Sequence, residues 1–206
     1  MISTQGIQST TPSGNNFTPS YINIGVQYLK INSIEAEVAS TGSTRMVFNV
    51  ETEPVADENF KHFDGNAGQT GKISTFYLKT ESQQREFFAN LLLIADKLGV
   101  KAEIEAVNEK NLGSFESYAA AITPIFNKAG YAWFRIAGDE YEKNNGKIGV
   151  SLRFSRFGFV ASTAEGESHL KPIDPNNTYD LKKLEVIKDE SPIVNSENLP
   201  YSGNMY

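Results

Sequence analysis

Apolar and polar residues alternate with a two-residue period in several stretches of this chain, the mark of strands with one buried face. Residues 21–31 and 34–38 are rich in strand formers, and Ser40-Thr41-Gly42-Ser43 reads as a turn. Met46, Phe48 and Val50 then alternate with Arg45, Asn49 and Glu51, which predicts a half-buried strand ended by Pro54. A polar, glycine-containing loop over 54–72 leads to a third strand over 73–79.

The period then changes to that of a helix. Thr80 and Gln83 have capping-box spacing, and Phe87, Phe88, Leu91, Leu92, Ala95 and Leu98 form one apolar stripe. Lys97 suits the C-terminal dipole and Gly99 the stop. A second helical stretch starts at Ser114, with Phe115, Tyr118, Ala119 and Ile122 on one side, and Pro124 should kink or end it. A fourth strand is predicted over 131–138 and a long fifth over 147–160, with Asn145-Gly146 as a hairpin turn. No internal repeat is evident.

Residues 1–20 are rich in Ser, Thr, Asn and Gln and are expected to form a flexible N-terminal arm. The strands and helices then occupy 21–162, and 163–206 is expected to be a disordered acidic tail. The order strand, strand, strand, helical insert, strand, strand predicts a mainly β domain. It is that of a five-stranded Greek-key barrel of the oligonucleotide-binding type, with helices between strands three and four. A β-sandwich would more often lack the insert, and an open α+β sheet has the same order.

Composition narrows the chemistry. The 206 residues contain no cysteine, which excludes disulfides, thiol nucleophiles and cysteine-type metal sites. The two histidines, His62 and His169, lack metal or triad spacing and read as surface residues. No apolar run is long enough to span a bilayer, and the first residues lack the basic and apolar regions of a signal peptide, so a cytoplasmic protein is expected. The net charge is −6, of which residues 161–206 carry −4, so a basic face can coexist with an acidic end.

Enzyme signals are poor. The segment Gly65-Asn66-Ala67-Gly68-Gln69-Thr70-Gly71-Lys72 fails as a phosphate loop, because its outer glycines are one residue too far apart, Ile73 follows the lysine, and a strand follows where a helix is needed. The carboxylate pairs Glu51/Glu53, Glu103/Glu105 and Glu140/Glu142 would share a face if they lie on strands, but nothing catalytic stands beside them. No enzymatic activity, cofactor or metal is expected.

The informative feature is the interleaving of aromatic and basic residues on the last strands. Alternation puts Tyr131, Trp133 and Arg135 on one face and Ala132, Phe134 and Ile136 in the core. On the fifth strand Ile148, Val150, Leu152 and Phe154 read as core, with Ser151, Arg153, Ser155 and Phe157 facing away and Gly158 able to bulge the strand near Arg156. Tyr77, Lys79 and Lys72 add to the wet face. Single-strand binding uses this chemistry: flat rings stack on bases and cations neutralise phosphates. A core completed by the same rings, with arginines lying over them, fits the same pattern.

The chain resembles the single-stranded-DNA-binding proteins of bacteriophages. The residues that carry the likeness are Gln84-Arg85-Glu86-Phe87-Phe88 through Leu98-Gly99, Trp133-Phe134-Arg135-Ile136-Ala137-Gly138-Asp139-Glu140-Tyr141, Leu152-Arg153-Phe154, and the acidic tail ending in Tyr206. The resemblance covers roughly 21–160 and the tail. It implies sequence-independent coating of single-stranded DNA in replication, recombination or repair. It also implies that a tail carrying Asp189, Glu190, Glu197 and Tyr206 contacts replication or recombination proteins. The turns at Ser40 to Ser43 and Asp139 to Gly146 would flank the ligand, although Asp139, Glu140 and Glu142 outnumber Lys143 in the second. Two competing readings stay open: a virion or assembly protein whose aromatic face is a protein interface, and a carbohydrate- or small-ligand-binding barrel.

Overall fold

The computed structural model describes residues 22–38, 42–53, 69–75, 78–110 and 112–185. The arm expected over 1–20, His62, Tyr77, and the tail residues Asp189, Glu190, Glu197 and Tyr206 lie outside them.

The two β-rich stretches at the start are one strand, β1 (Gly25–Val38). Leu29 and Ile31 are buried at odd positions, Ile34 at an even one. A bulge between Ile31 and Ser33 absorbs the change of phase, so one strand keeps an apolar inner row past the irregularity. The bulged Asn32 is held by its side chain, whose Nδ2 donates to Glu51 at 2.9 Å, and by its carbonyl, which accepts from Asn127 at 2.9 Å.

That long strand lets the sheet close. β1 pairs antiparallel with β2 (Thr44–Thr52) along its later part and with β4 (Tyr131–Glu142) along its earlier part. β2 pairs with β3 (Thr70–Ser74), and β4 with β5 (Ile148–Phe154), both antiparallel. β3 and β5 meet in parallel at Ile73 and Leu152. The order β1-β2-β3-β5-β4 thus returns to β1, a closed five-stranded barrel. Met46, Phe48 and Val50 point inward as their alternation predicts, and Ile73, Phe134 and Ile136 complete the core from the other strands. The third strand runs earlier than expected, because Thr70 to Ser74 find partners in β2; beyond Ser74, Thr75 bonds Met46 and Leu78 N donates to Thr44 O.

Three α-helices lie between β3 and β4 in the chain. α1 (Glu81–Lys97) has the predicted capping box: Thr80 Oγ1 accepts from Gln83 N and Gln83 Oε1 accepts from Thr80 N. Its buried face is Phe87, Leu91, Ile94 and Ala95. Gly99, at φ +74°, ends it, and the chain at once starts a second helix, α2 (Lys101–Asn108), which the apolar pattern did not announce. Ile104 and Val107 bury one side of α2. Glu103 and Glu105 lie on it, so at 100° per residue they diverge rather than share a strand face.

α3 (Phe115–Ala129) continues through Pro124. The ring and the residue four before it, Ala120, are both exposed, so the carbonyl that loses its partner meets water. α3 packs along β1, where Thr123 Oγ1 accepts from Ile34 N at 2.9 Å and donates to Ile34 O at 3.2 Å.

The fifth strand is shorter than predicted, and the chain after it is more ordered. A two-residue strand, β6 (Val160–Ala161), pairs with β4 at Trp133 and Phe134. A 3-10 turn at Glu167–His169 follows, and β7 (Leu181–Lys182) runs parallel to β4 at Gly138 and Asp139. Residues 163–185, expected in a disordered tail, therefore lie over the barrel. Their polar composition concealed this because their anchors are few: Leu170 is buried, and Asp180 is buried against Arg135.

Arg135 itself corrects the face assignment. It was expected on the wet face beside Trp133, and its side chain is only 10% exposed. It donates to Asp180 Oδ2 at 2.6 Å, to Lys171 O at 2.7 Å, to Pro172 O at 3.2 Å and to Ser155 Oγ. Local alternation is correct for Tyr131 and Trp133, which are half-buried. From Phe134 to Gly138 both faces of β4 are covered, because residues 170–182 lie on the outer one. Ser155, expected to face solvent, is buried by the same network. Ile148 and Val150, expected in the core, are 58% and 44% exposed, because the β4–β5 hairpin runs beyond the barrel interior.

Candidate functional site

The residues singled out in the sequence separate into three places on the outside of the barrel. The first is a ring ladder on β1 and β4. Tyr28 and Trp133 face each other across the two strands, with ring centroids 4.9 Å apart, and Tyr131 stacks on Tyr28 at 5.3 Å and 25°. Tyr28 was not singled out in the sequence. Only the cross-strand register brings it to Trp133. The ladder is acidic at one end: Tyr131 OH donates to Glu51 at 3.5 Å, and Lys30 lies 3.9 Å from the same carboxylate. Burial, with Glu51 and Glu53 nearby, raises the Tyr131 phenol above its ordinary range. Phosphate would meet two carboxylates and one lysine here.

The second place is a cleft of about 490 Å³ over β2, β3 and β5, between those strands and the β4–β5 hairpin. Its charged lining is Arg45, Lys72, Lys143 and Glu37, three cations against one acid. Arg45 Nη2 is 2.7 Å from Glu37 Oε2, and Lys72 Nζ is 3.7 Å from Glu37 Oε1, so both cations share one carboxylate. The Arg45 hydrogen bond, against a smaller opposing effect of burial, holds the Glu37 carboxyl below its ordinary range. Tyr141, Ile148 and Val150, all exposed, supply ring and apolar surface.

The acidic hairpin that counted against this region turns most of its charge elsewhere. Asp139 pairs with Arg153 at 3.0 Å, and Glu140 accepts from Leu184 N at 3.0 Å. Lys143 is the hairpin's charged contribution to the cleft lining.

Residues 22–24 border this cleft, and two glycines make room for them. A Cβ on Gly71 would come 3.0 Å from Ile22 Cδ1, and one on Gly138 would come 2.9 Å from Ile24 Cγ2. Ile22 is almost fully buried there, and Val47, on the outer side of β2, is buried at the bottom of the cleft.

The third place is the corner where β5 ends, beside a groove of about 590 Å³ running along α1. Arg153, Arg156 and Lys182 line it together with Glu86, Asp139 and Tyr179, and Phe157 stands next to Arg156. Arg153 is committed, donating to Asp139 and to Tyr179 O at 3.0 Å. Lys79 sits exposed before α1, its backbone N–H donating to Gln83 in the cap. His169 is an exposed residue 3.9 Å from Glu165.

Of the predicted residues, then, Lys72 belongs to the cleft, Tyr131 and Trp133 to the ladder, Arg153, Arg156 and Phe157 to the corner, and Arg135 to the interior. Arg45, Lys143 and Tyr141 were legible as basic or aromatic residues, but no spacing joined them to Lys72. They come from two further places, β2 and the β4–β5 hairpin, that the barrel brings to β3. Among the described residues no cluster of acidic or histidine side chains is placed to hold a metal ion, and no helix is long and apolar enough to cross a membrane.

Comparison with protein-family models finds no match, and comparison with curated protein sequences finds none either.

Proposed function

We propose that this protein is an oligonucleotide-binding barrel that binds single-stranded DNA without sequence preference, in replication, recombination or repair. The observation that carries the reading is the cleft over β2, β3 and β5, with three cations against one acid in a chain whose net charge is −6. The strand order supports it by analogy of fold, since barrels closed in this order bind oligonucleotides or oligosaccharides across strands two and three and the neighbouring loops. Charge then favours the oligonucleotide.

In this reading Lys72, Arg45 and Lys143 meet backbone phosphates, and Tyr141 offers a ring to a base. Glu37 competes with phosphate for Arg45 and Lys72, which keeps affinity modest. The ladder of Tyr28, Tyr131 and Trp133 is a secondary surface, because Glu51 and Glu53 repel a backbone beside Tyr131. No bond is made or broken, so binding and release are the whole activity.

Titration of labelled oligo-dT at several salt concentrations tests this. Three phosphate contacts predict that log K falls with log salt at a slope near −2, about −0.7 per contact on single strands. Lys72→Ala, Arg45→Ala and Lys143→Ala should each weaken binding and flatten the slope by about 0.7. Wild-type protein that ignores oligo-dT at low salt would remove the proposal and favour an assembly protein.

A further inference from the structure

We infer that the corner formed by Arg156, Phe157 and Tyr179 is a second nucleotide subsite, taken by the same single strand where it leaves the cleft. The inference rests on the proposed function. Phe157 is 70% exposed, the most of any large apolar side chain among the described residues, and Tyr179 is 55% exposed. The Arg156 guanidinium lies 5.5 Å from the Phe157 ring centroid and 5.8 Å from that of Tyr179. Two exposed rings with one cation near both offer a base a stacking surface and its phosphate a counter-charge.

The corner is built on a rigid support. Ser155, just before Arg156, and Asp180, just after Tyr179, are bonded to the same buried guanidinium, that of Arg135. One interior residue thus fixes both chain segments that present the rings, which is how a binding surface is held ready before its ligand arrives. Gly158, at φ +52°, turns the chain so that Phe157 stays out while Phe159 is buried at 3% exposure. A residue with a side chain would hold that φ only with strain.

Two further observations select the ligand. The corner opens on the groove along α1, and that groove and the cleft both border Ser74, so one strand could run from one to the other. The groove floor is nearly closed: Phe87, Leu91 and Ile94 are each 6% exposed or less. A ring stacked at the rim would cover Phe157 and Tyr179, the two most exposed aromatic side chains among the described residues. Arg135 acts here as a positioning residue.

The test uses the full chain and oligo-dT carrying 5-iodouracil, in a short form that fills the cleft and a longer one that extends past it. Irradiation of the longer complex should give adducts on Phe157 or Tyr179. Phe157→Ala, a change at a largely exposed site, should weaken the longer oligomer at least about fivefold and leave the short one unchanged, as expected for one lost stack. Lys72→Ala should weaken both. Equal affinities of wild type and Phe157→Ala for both lengths, with adducts confined to cleft peptides, would overturn this inference and leave the proposed function standing. Binding of an acidic, tyrosine-containing peptide at the corner, with no DNA adduct there, would also overturn it and assign the corner to a protein partner. If the wild type binds neither oligomer, the proposed function fails first.

Discussion

The protein holds two arginine–carboxylate pairs of nearly the same length in opposite surroundings. Arg135 and Asp180 meet at 2.6 Å with side chains 10% and 3% exposed. Arg45 and Glu37 meet at 2.7 Å with side chains 36% and 35% exposed. Both arginines sit on barrel strands. The first is covered by residues 170–182 and bonded to carbonyls and a hydroxyl as well, so its charge is consumed in holding the cover down. The second stays at a wet surface, where water and salt screen the pair. Distance therefore does not say what an ion pair is for. Burial does: it makes one pair a fastening and leaves the other open to water.

Asp180→Ala should break this comparison most severely. It leaves the Arg135 charge buried without its carboxylate, a change that costs about 3–5 kcal/mol in such settings. Denaturant unfolding should show the loss, and amide exchange over 170–185 should quicken before the rest of the barrel opens. An unchanged midpoint would mean that the cover is not fastened there.

The next effect is expected where the two regions meet. Gly138 N donates to Asp180 O at 2.9 Å, on the covered side. A Cβ on Gly138 would lie 2.5 Å from Val150 Cγ1 and 2.9 Å from Ile24 Cγ2, both of which line the cleft. Gly138→Ala should destabilise by about 1–3 kcal/mol, the usual cost of overpacking, and widen or distort the cleft as Ile24 gives way. Thermal unfolding measures the first effect and oligo-dT titration the second.

Glu37→Gln should do the reverse of Asp180→Ala. Stability should move by only about 0–1 kcal/mol, as for an exposed pair. Binding of oligo-dT should tighten severalfold, because Arg45 and Lys72 lose their competitor. A large drop in stability with no gain in binding would show that the exposed pair is also a fastening.

The smallest effect concerns acid. Glu165 accepts from Lys97 and from Ser162 N, and these bonds, with the Lys97 one foremost, hold its carboxyl down to about 2. A lowered pKa in the folded protein adds stability above the unfolded value near 4.5, and that stability is lost as pH falls from there toward 2. Acid titration of the wild type should show a loss in that window that Glu165→Gln lacks. At neutral pH the same variant should lose the link between α1 and the segment after β6 and little else.

The legible parts of this chain are those set by near neighbours. Met46, Phe48 and Val50 alternate, and they point inward. Thr80 and Gln83 are three residues apart, and they form the cap. Asn145 and Gly146 sit in the turn between β4 and β5. Lys72 was expected in the loop before the third strand, and it lies exposed within β3 beside the buried Ile73. What alternation could not supply is what covers an outer face. Tyr131, Trp133 and Arg135 have the same phase on one strand, yet only Arg135 is buried, because Asp180 arrives from 45 residues further on. Likewise Ile148 and Val150 carry a core-like pattern past the edge of the core, and the gap between the β-rich stretches 21–31 and 34–38 is a bulge within one strand, because residues on both sides of it pair with β2. Periodicity is a property of a strand and the water it was expected to meet. The sequence by itself determined the alternating inner rows of the main strands and the two helices with side-chain caps, α1 and α3. Tertiary structure alone decided which arginine is fastening and which stays at the wet surface, because that depends on what distant segment excludes water from each.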